Sequence, residues 1–419
     1  MTVDRRAFLK AAALGAGITV TGGTKARGAA RPRPPDVVVV GAGAFGMWTA
    51  LHLQRRGASV RVVDLHGPAN SRATSGGETR GVRTSYGDRP HGLFWGRWAR
   101  LATERWLAWD AEHRDSLLPR LFFQTGDLIM REESEPYLED TRANWDALGI
   151  RYEVLTPEDI THRWPWIRVD RVGTALYEPD AGVVRARRAI ESVATVFQRG
   201  GGTITIGRAA PGNRSGDLLE TLTLERGDPV VGGHFVFACG PWFPGLFPDV
   251  LGGKIRTPIG HTFYFGIPPG DNRYMHPNMP SYGVPGCTGW PGLSPDLRGF
   301  RVRTGGRPVE DPDYSDRWIP PEHHRRPRQV LADYFPDLVG APVMETRACH
   351  YESSVTQNFI IDRHPGFANV WLAGGGSAEA FKFGPVLGEY IAGRVLGEEN
   401  PEVDDQFRIP EESRDDDER

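Results

Sequence analysis

The stretch "DVVVVGAGAFGMWTALHLQRRGASVRVVD", residues 36–64, constrains this chain more than any other. Four consecutive valines, Val37 to Val40, fit a strand buried on both faces of a parallel sheet. Ala44 to Arg56 fits a helix, with Trp48, Leu51 and Leu53 among its apolar residues, and a second apolar run ends on Asp64. Between strand and helix the glycines fall at Gly41, Gly43 and Gly46, with Ala42 inside the turn, and Asp64 follows Gly43 by 21 residues. Each part has a physical task. Glycines permit a tight turn and close approach of a pyrophosphate, the helix N-terminus faces its charge, and the carboxylate meets ribose hydroxyls. Strand, turn, helix, strand and acid together imply a dinucleotide-binding unit.

The rest of the chain must complete that sheet and build something beside it. "DAGVVRARRAIESVATVFQRGGGTITIG" reads as a loop, a helix from Ala186 to Gln198 and a strand, and "HFVFACGPW" as another buried strand ended by Gly240-Pro241. From Lys254 to Pro308 the chain shows short strands and Pro/Gly loops rich in aromatics, the pattern of an antiparallel sheet. "NVWLAGGGSAEAFKFGPVLGEYIAGRVLG" is strand, glycine turn and a helix from Gly384 to Leu396, which returns the chain to the first sheet. At 419 residues two cores are expected. The fold class is therefore α/β (α+β), a Rossmann-like domain interrupted by an antiparallel-sheet domain. A Rossmann fingerprint completed at the far C-terminus around a large insertion is a flavoprotein arrangement more than a nicotinamide one.

The N-terminus, "MTVDRRAFLKAAALGAGITVTGGTKARGAA", carries Arg5-Arg6, then Phe8-Leu9-Lys10, an Ala/Gly-rich run and small residues at Ala29 and Ala30. These features in this order form a twin-arginine export signal over residues 1–30, making the export machinery a partner and the folded chain's destination outside the cytoplasm. The run from Ala11 to Val20 is about half the length a bilayer needs, so no stable membrane anchor is expected. The net charge of −3 gives no sign of nucleic-acid binding. Of 50 basic residues only Lys10, Lys25, Lys254 and Lys382 are lysines, which makes Lys382, just after a glycine turn, conspicuous. His261, His323, His324 and His364 show no metal-ligand spacing, and no metal site is expected. With cysteines only at Cys239, Cys287 and Cys349, at least one thiol is unpaired. Cys239 reads as buried in its strand. Cys349, in "ETRACHYESS", reads equally as core, as half of a Cys287–Cys349 disulfide, or as a reactive group.

Four stretches carry a resemblance to the D-amino-acid-oxidase-type FAD superfamily, in particular the branch of monomeric sarcosine oxidase and N-methyltryptophan oxidase. They are the fingerprint, "SGGETRGVRTSYG" (Ser75 to Gly87), "RACHYESSVTQNFIIDRHPGFANVWLAGG" and "AEAFKFGP", and the likeness runs from Asp36 to Glu398. The resemblance implies a glutathione-reductase-type FAD domain in parts at about 36–110, 175–245 and 345–398, a substrate domain at about 111–174 and 246–344, and a monomer; beyond it, the charges of "EESRDDDER" mark 401–419 as an acidic, solvated tail. It sets Arg80 against the flavin, gives Arg83 and Lys382 the substrate carboxylate, makes Tyr351 a pocket wall and makes Cys349 the covalent flavin anchor. It also assigns Ala42, Thr79, Val183, Gly374, Gly375 and again Lys382 to the cofactor. The chemistry agrees with the residue types. Arginine offers a carboxylate a two-pronged site and lysine a point charge, and FAD takes a hydride from the carbon beside the amine, O₂ then yielding peroxide.

Two departures qualify the expectation. Relatives carry an O₂-activating lysine over the flavin where this chain has Arg301, which keeps the charge but not a compact ammonium. Ala378-Glu379-Ala380 replaces a Gly-His-Gly, so Glu379 meets the substrate amine or a polar side chain, pairs with an arginine, or faces solvent. The leading expectation is an exported FAD-dependent oxidase of a secondary, N-methyl or cyclic amino acid. The alternatives are an FAD dehydrogenase passing electrons to another acceptor, which Arg301 favours, and a non-catalytic flavin-binding protein.

Overall fold

The computed structural model describes residues 35–308 and 311–413. The expected export signal, residues 1–30, and residues 414–419 lie outside the described residues. Val37–Val40 (β1) is followed by the helix Ala44–Arg55 (α1) and by Val60–Asp64 (β2). A six-stranded sheet runs in the order 360–363, 370–374, 234–237, β1, β2, 203–206. All its pairs are parallel except Ile360–Arg363 against Val370–Gly374. All four valines of β1 are buried, as expected of a strand covered on both faces. Expected helix ends hold to within one residue: α1 stops at Arg55, the middle helix spans Ala186–Arg199 and the last spans Gly384–Val395.

The second sheet has eight strands. Three of them position the site: Ile259–Phe265 (β3), Phe300–Arg307 (β4) and Val343–His350 (β5). Its order is β5, β3, β4, 287–290, 281–284, 127–131, 174–178, 153–155. It is not purely antiparallel, because Ser281–Val284 pairs parallel with Asp127–Arg131 where the two inserted segments meet. Its strands also cross the expected domain limits. Thr174–Glu178 and β5 belong to it, so Cys349 rides on an edge strand of the second sheet, opposite Gly260 of β3.

The C-terminal helix Gly384–Val395 (α2) closes the first domain against α1. A Cβ at Gly388 would lie 2.4 Å from the backbone of Trp48, so that glycine is what lets the two helices touch. The tail begins later than its composition suggests. Pro401–Asp404 is helical, and Phe407 is fully buried against Phe94, Trp95, Trp98 and Phe359. Burying one such ring is worth roughly 2 kcal/mol, enough to hold a short acidic segment on the protein.

Candidate active site

One cavity of about 610 Å³ runs between the two sheets, from Asp64, His66 and Trp242 to Cys349, Tyr351 and Lys382. Its first end is shaped by backbone. Gly41 has φ +106°, and a Cβ there would lie 2.2 Å from the Ala238 carbonyl oxygen. A Cβ at Gly46 would lie 1.8 Å from the Gly41 carbonyl oxygen, so α1 packs on the turn only through glycine. Gly43 opens α1 toward the cavity, and the Ala44 amide donates to Ser75 Oγ at 2.9 Å. Asp64 accepts from the Ala42 amide at 2.6 Å and from the amides of His66 and Gly67, which ties the end of β2 to the glycine turn. Asp313 closes this end, accepting from Arg208 at 3.0 Å and from the Trp242 indole at 2.7 Å. Cys239 lines the cavity rather than lying inside its strand, which stops at Phe237, and burial raises its thiol pKa.

The other end is shaped by charge. Lys382, 5% exposed, donates from Nζ to Glu379 Oε2 and to the Tyr86 hydroxyl at 2.9 Å. Arg83 Nη2 lies 3.7 Å from Glu379 Oε1, and its Nη1 donates to the carbonyl and hydroxyl of Ser85. Burial opposes ionisation of Glu379, but Lys382, Arg83 and Arg89 outweigh it and hold the carboxyl well below its ordinary range. Burial pulls Lys382 down to about 8 against the opposing pull of Glu379. Ser377 and Ala378 hold φ of +44° and +60°, two consecutive non-glycine residues in the left-handed region. Such strain costs on the order of 1–3 kcal/mol per residue and persists where the surroundings enforce it; here it turns Glu379 onto the two cations.

Opposite them, Arg301 is 3% exposed, with its guanidinium 4.1 Å over the Trp290 ring. Its Nε and Nη1 are buried without a hydrogen-bond partner, and burial lowers it to about 10. Arg303, two residues along β4, lines the same cavity with its guanidinium 5.7 Å over the Tyr351 ring. Arg80 is fastened to the carbonyls of Thr74 at 2.5 Å and Thr79 at 2.8 Å. Cys349 Sγ also faces the Thr74 carbonyl, at 3.8 Å. All three cysteines are free, so the possible Cys287–Cys349 disulfide is absent. Glu352 is buried and accepts from the amides of Gly375 at 3.0 Å and Gly376 at 3.3 Å. Burial pushes its carboxyl up to about 7 despite those two bonds.

Arg80, Arg83, Arg301, Cys349, Tyr351, Glu379 and Lys382 thus face one space with Gly41, Gly43 and Asp64. Ala42, Gly46, Thr79, Gly374 and Gly375 stand just behind it. Gly375, at φ +66°, offers its amide to Glu352, and Thr79 Oγ1 accepts from the Trp290 indole at 2.9 Å. Val183 is the exception. It is fully buried against Phe123 and Leu293, in a strand paired with Arg80–Val82, and Ala209 and Ala210 line the cavity near Asp64 instead. Sequence reasoning missed Glu352, Arg303, Tyr86 and Asp313. Tyr86 and Glu352 carried a usable signal, lying inside the quoted Ser75–Gly87 motif and the quoted stretch around Cys349.

The sequence profile of the family described as "DAO: FAD dependent oxidoreductase" matches residues 36–394. Monomeric sarcosine oxidase from Bacillus sp. (strain NS-129) is 25% identical over 367 residues, covering 85% of this chain and 92% of that protein. N-methyl-L-tryptophan oxidase from Escherichia coli O81 (strain ED1a) is 25% identical over 371 residues, covering 85% and 94%. Among solved structures, fructosyl amine:oxygen oxidoreductase (Amadoriase I) from Aspergillus fumigatus shares the fold, with a TM-score of 0.76, 21% identity and 90% of each chain covered. The cavity fits the dinucleotide of that family. Its turn leaves no room for a Cβ at Gly41 or Gly46, a helix N-terminus opens onto it, and its volume lies within the range of cofactor sites.

Proposed function

The chain belongs to the DAO family of FAD-dependent oxidoreductases, and from that premise we propose that it oxidises the C–N bond of a secondary, N-methyl or cyclic amino acid to an imine, with O₂ reduced to hydrogen peroxide. One observation carries the reading: Arg83, Cys349, Tyr351, Glu379 and Lys382 line a single cavity continuous with the glycine turn. FAD, when bound, supplies hydride acceptance from the carbon beside nitrogen and passes two electrons to O₂. Gly41, Gly43, Asp64 and Arg80 would hold it, with Cys349 as its tether.

The remaining work falls to the chain's own side chains. Tyr351 and Trp290 wall the reaction end and exclude water from it. Arg83, Arg301, Arg303 and Lys382 outnumber Glu379 there, so a further positive charge is disfavoured. An entering amine is therefore held uncharged, the form whose lone pair assists loss of hydride.

A peroxide-coupled screen of N-methyl and cyclic amino acids on the purified protein tests the reading. Peroxide formed in step with substrate loss is expected. Turnover only with an artificial electron acceptor would instead select the dehydrogenase reading, which buried Arg301 at the position of the expected lysine favours. Acid precipitation that leaves the yellow colour in the pellet, and releases it after Cys349→Ala, supports the tether. Export and the monomeric state belong to the same proposal. They are checked by fractionating cells that express the chain with and without Arg5→Lys/Arg6→Lys, and by light scattering.

A further inference from the structure

The Arg83–Lys382 pair, the expected seat of a substrate carboxylate, already holds one. Glu379 accepts from Lys382 and from the Tyr86 hydroxyl at 3.2 Å and lies 3.7 Å from Arg83, delivered there by the left-handed turn at Ser377 and Ala378. A second carboxylate on the same two cations would sit beside Glu379 in a buried site, where like charges at such separation repel strongly.

Arg303 offers a place without that conflict. It alternates with Arg301 on β4, pairs in register with Thr262 of β3 and Thr288, and lines the same cavity. Its guanidinium lies over the Tyr351 ring, and among the described residues it has neither an acid at ion-pair distance nor a hydrogen-bond acceptor. The space around it is made by Gly260, where a Cβ would come 3.2 Å from Arg303 Nη2 and 3.6 Å from the Tyr351 ring. Gly260 stands opposite Cys349, so the unpaired guanidinium lies at the Cys349 end of the cavity. Arg301, buried beside it with two nitrogens unpartnered, adds positive potential and no competing anion. A part-buried guanidinium stacked on an aromatic ring is pre-organised for bidentate capture of a carboxylate.

We propose that the substrate's carboxylate docks on Arg303, against Tyr351, and that the Arg83–Lys382 pair serves to hold Glu379. The proposal rests on the amino-acid-like reading of the substrate, but its test needs no turnover. The flavin-loaded protein is titrated with acetate while the visible flavin band is followed, with acetamide as the uncharged control. Wild type is expected to respond to acetate and not to acetamide. Arg303→Met is expected to weaken acetate binding at least tenfold and Arg303→Lys by less, while Arg83→Met stays within twofold of wild type. All variants are compared at equal flavin content. Wild-type affinity in Arg303→Met, equal losses in Arg303→Met and Arg83→Met, or no response of wild type to acetate would each overturn it. A failed substrate screen would leave this result readable, so the two proposals fail separately.

Discussion

The two ends of the cavity are built by different physics. At the nucleotide end the geometry is set by main chain: Gly41 in a conformation that L side chains rarely adopt, Gly46 against a carbonyl, and Asp64 bonded to three amides. At the reaction end it is set by side-chain charge: Lys382 and Arg83 on Glu379, Arg303 over Tyr351, and Arg301 over Trp290. Steric exclusion by backbone tolerates no substitution. A charge network tolerates exchange as long as its members change together. The nucleotide end should therefore fail outright when altered, and the reaction end should fail conditionally.

The largest effect is expected at the turn. Gly46→Ala puts a methyl 1.8 Å from the Gly41 carbonyl oxygen, and the protein should be recovered without flavin or not at all. Gly340→Ala, where a Cβ meets nothing within 4 Å, should load normally; the ratio of flavin to protein absorbance distinguishes them. Next comes Lys382→Met, which strips Glu379 of its closest partner. Breaking one side of a buried pair costs about 3–5 kcal/mol, read as a fall in the melting temperature. Lys382→Met/Glu379→Gln should recover much of that loss, whereas no second substitution should rescue Gly46→Ala. If the double variant is as unstable as the single one, the reaction end is not a charge network.

The smallest effect concerns Glu352, where backbone and charge meet. Its carboxyl sits at about 7 in the folded chain, above its ordinary value, so the folded state binds the proton more tightly than the unfolded state. That stabilisation is present at low pH and is lost as pH rises through about 7. Glu352→Gln should consequently gain over wild type, by about 2–3 kcal/mol, between pH 4.5 and 7.5. Glu178, also raised to about 7, is common to both proteins and cancels in the difference. Melting curves across that range check the sign, and a gain that shrinks with rising pH would contradict it.

The contrast also explains what the sequence made legible. Residues 36–64 carry their own partners within one βαβ unit, so strand, helix and glycine positions were readable to within a residue. Arg83, Cys349, Tyr351 and Lys382 were found through motif likeness, and the structure brings them to one cavity. Glu352 was not found, because its partners are two amides 23 and 24 residues away. Nothing local marks Arg303 in a chain with 50 basic residues, nearly all arginine; only the register of β3, β4 and β5 gives it Tyr351 for a neighbour. Val183 failed for the converse reason. Likeness to a family names a position in a buried strand, and the structure turns that side chain onto Phe123 and Leu293 rather than into the cavity.

The central claim is that this cavity, loaded with FAD, takes electrons from the C–N bond of an amine. The direct measurement is anaerobic mixing of the purified yellow protein with N-methyl and cyclic amino acids, followed by air. Bleaching of the flavin band by at least one of them, and its return with one hydrogen peroxide per flavin, is the result expected. A band that no amine bleaches would contradict the account.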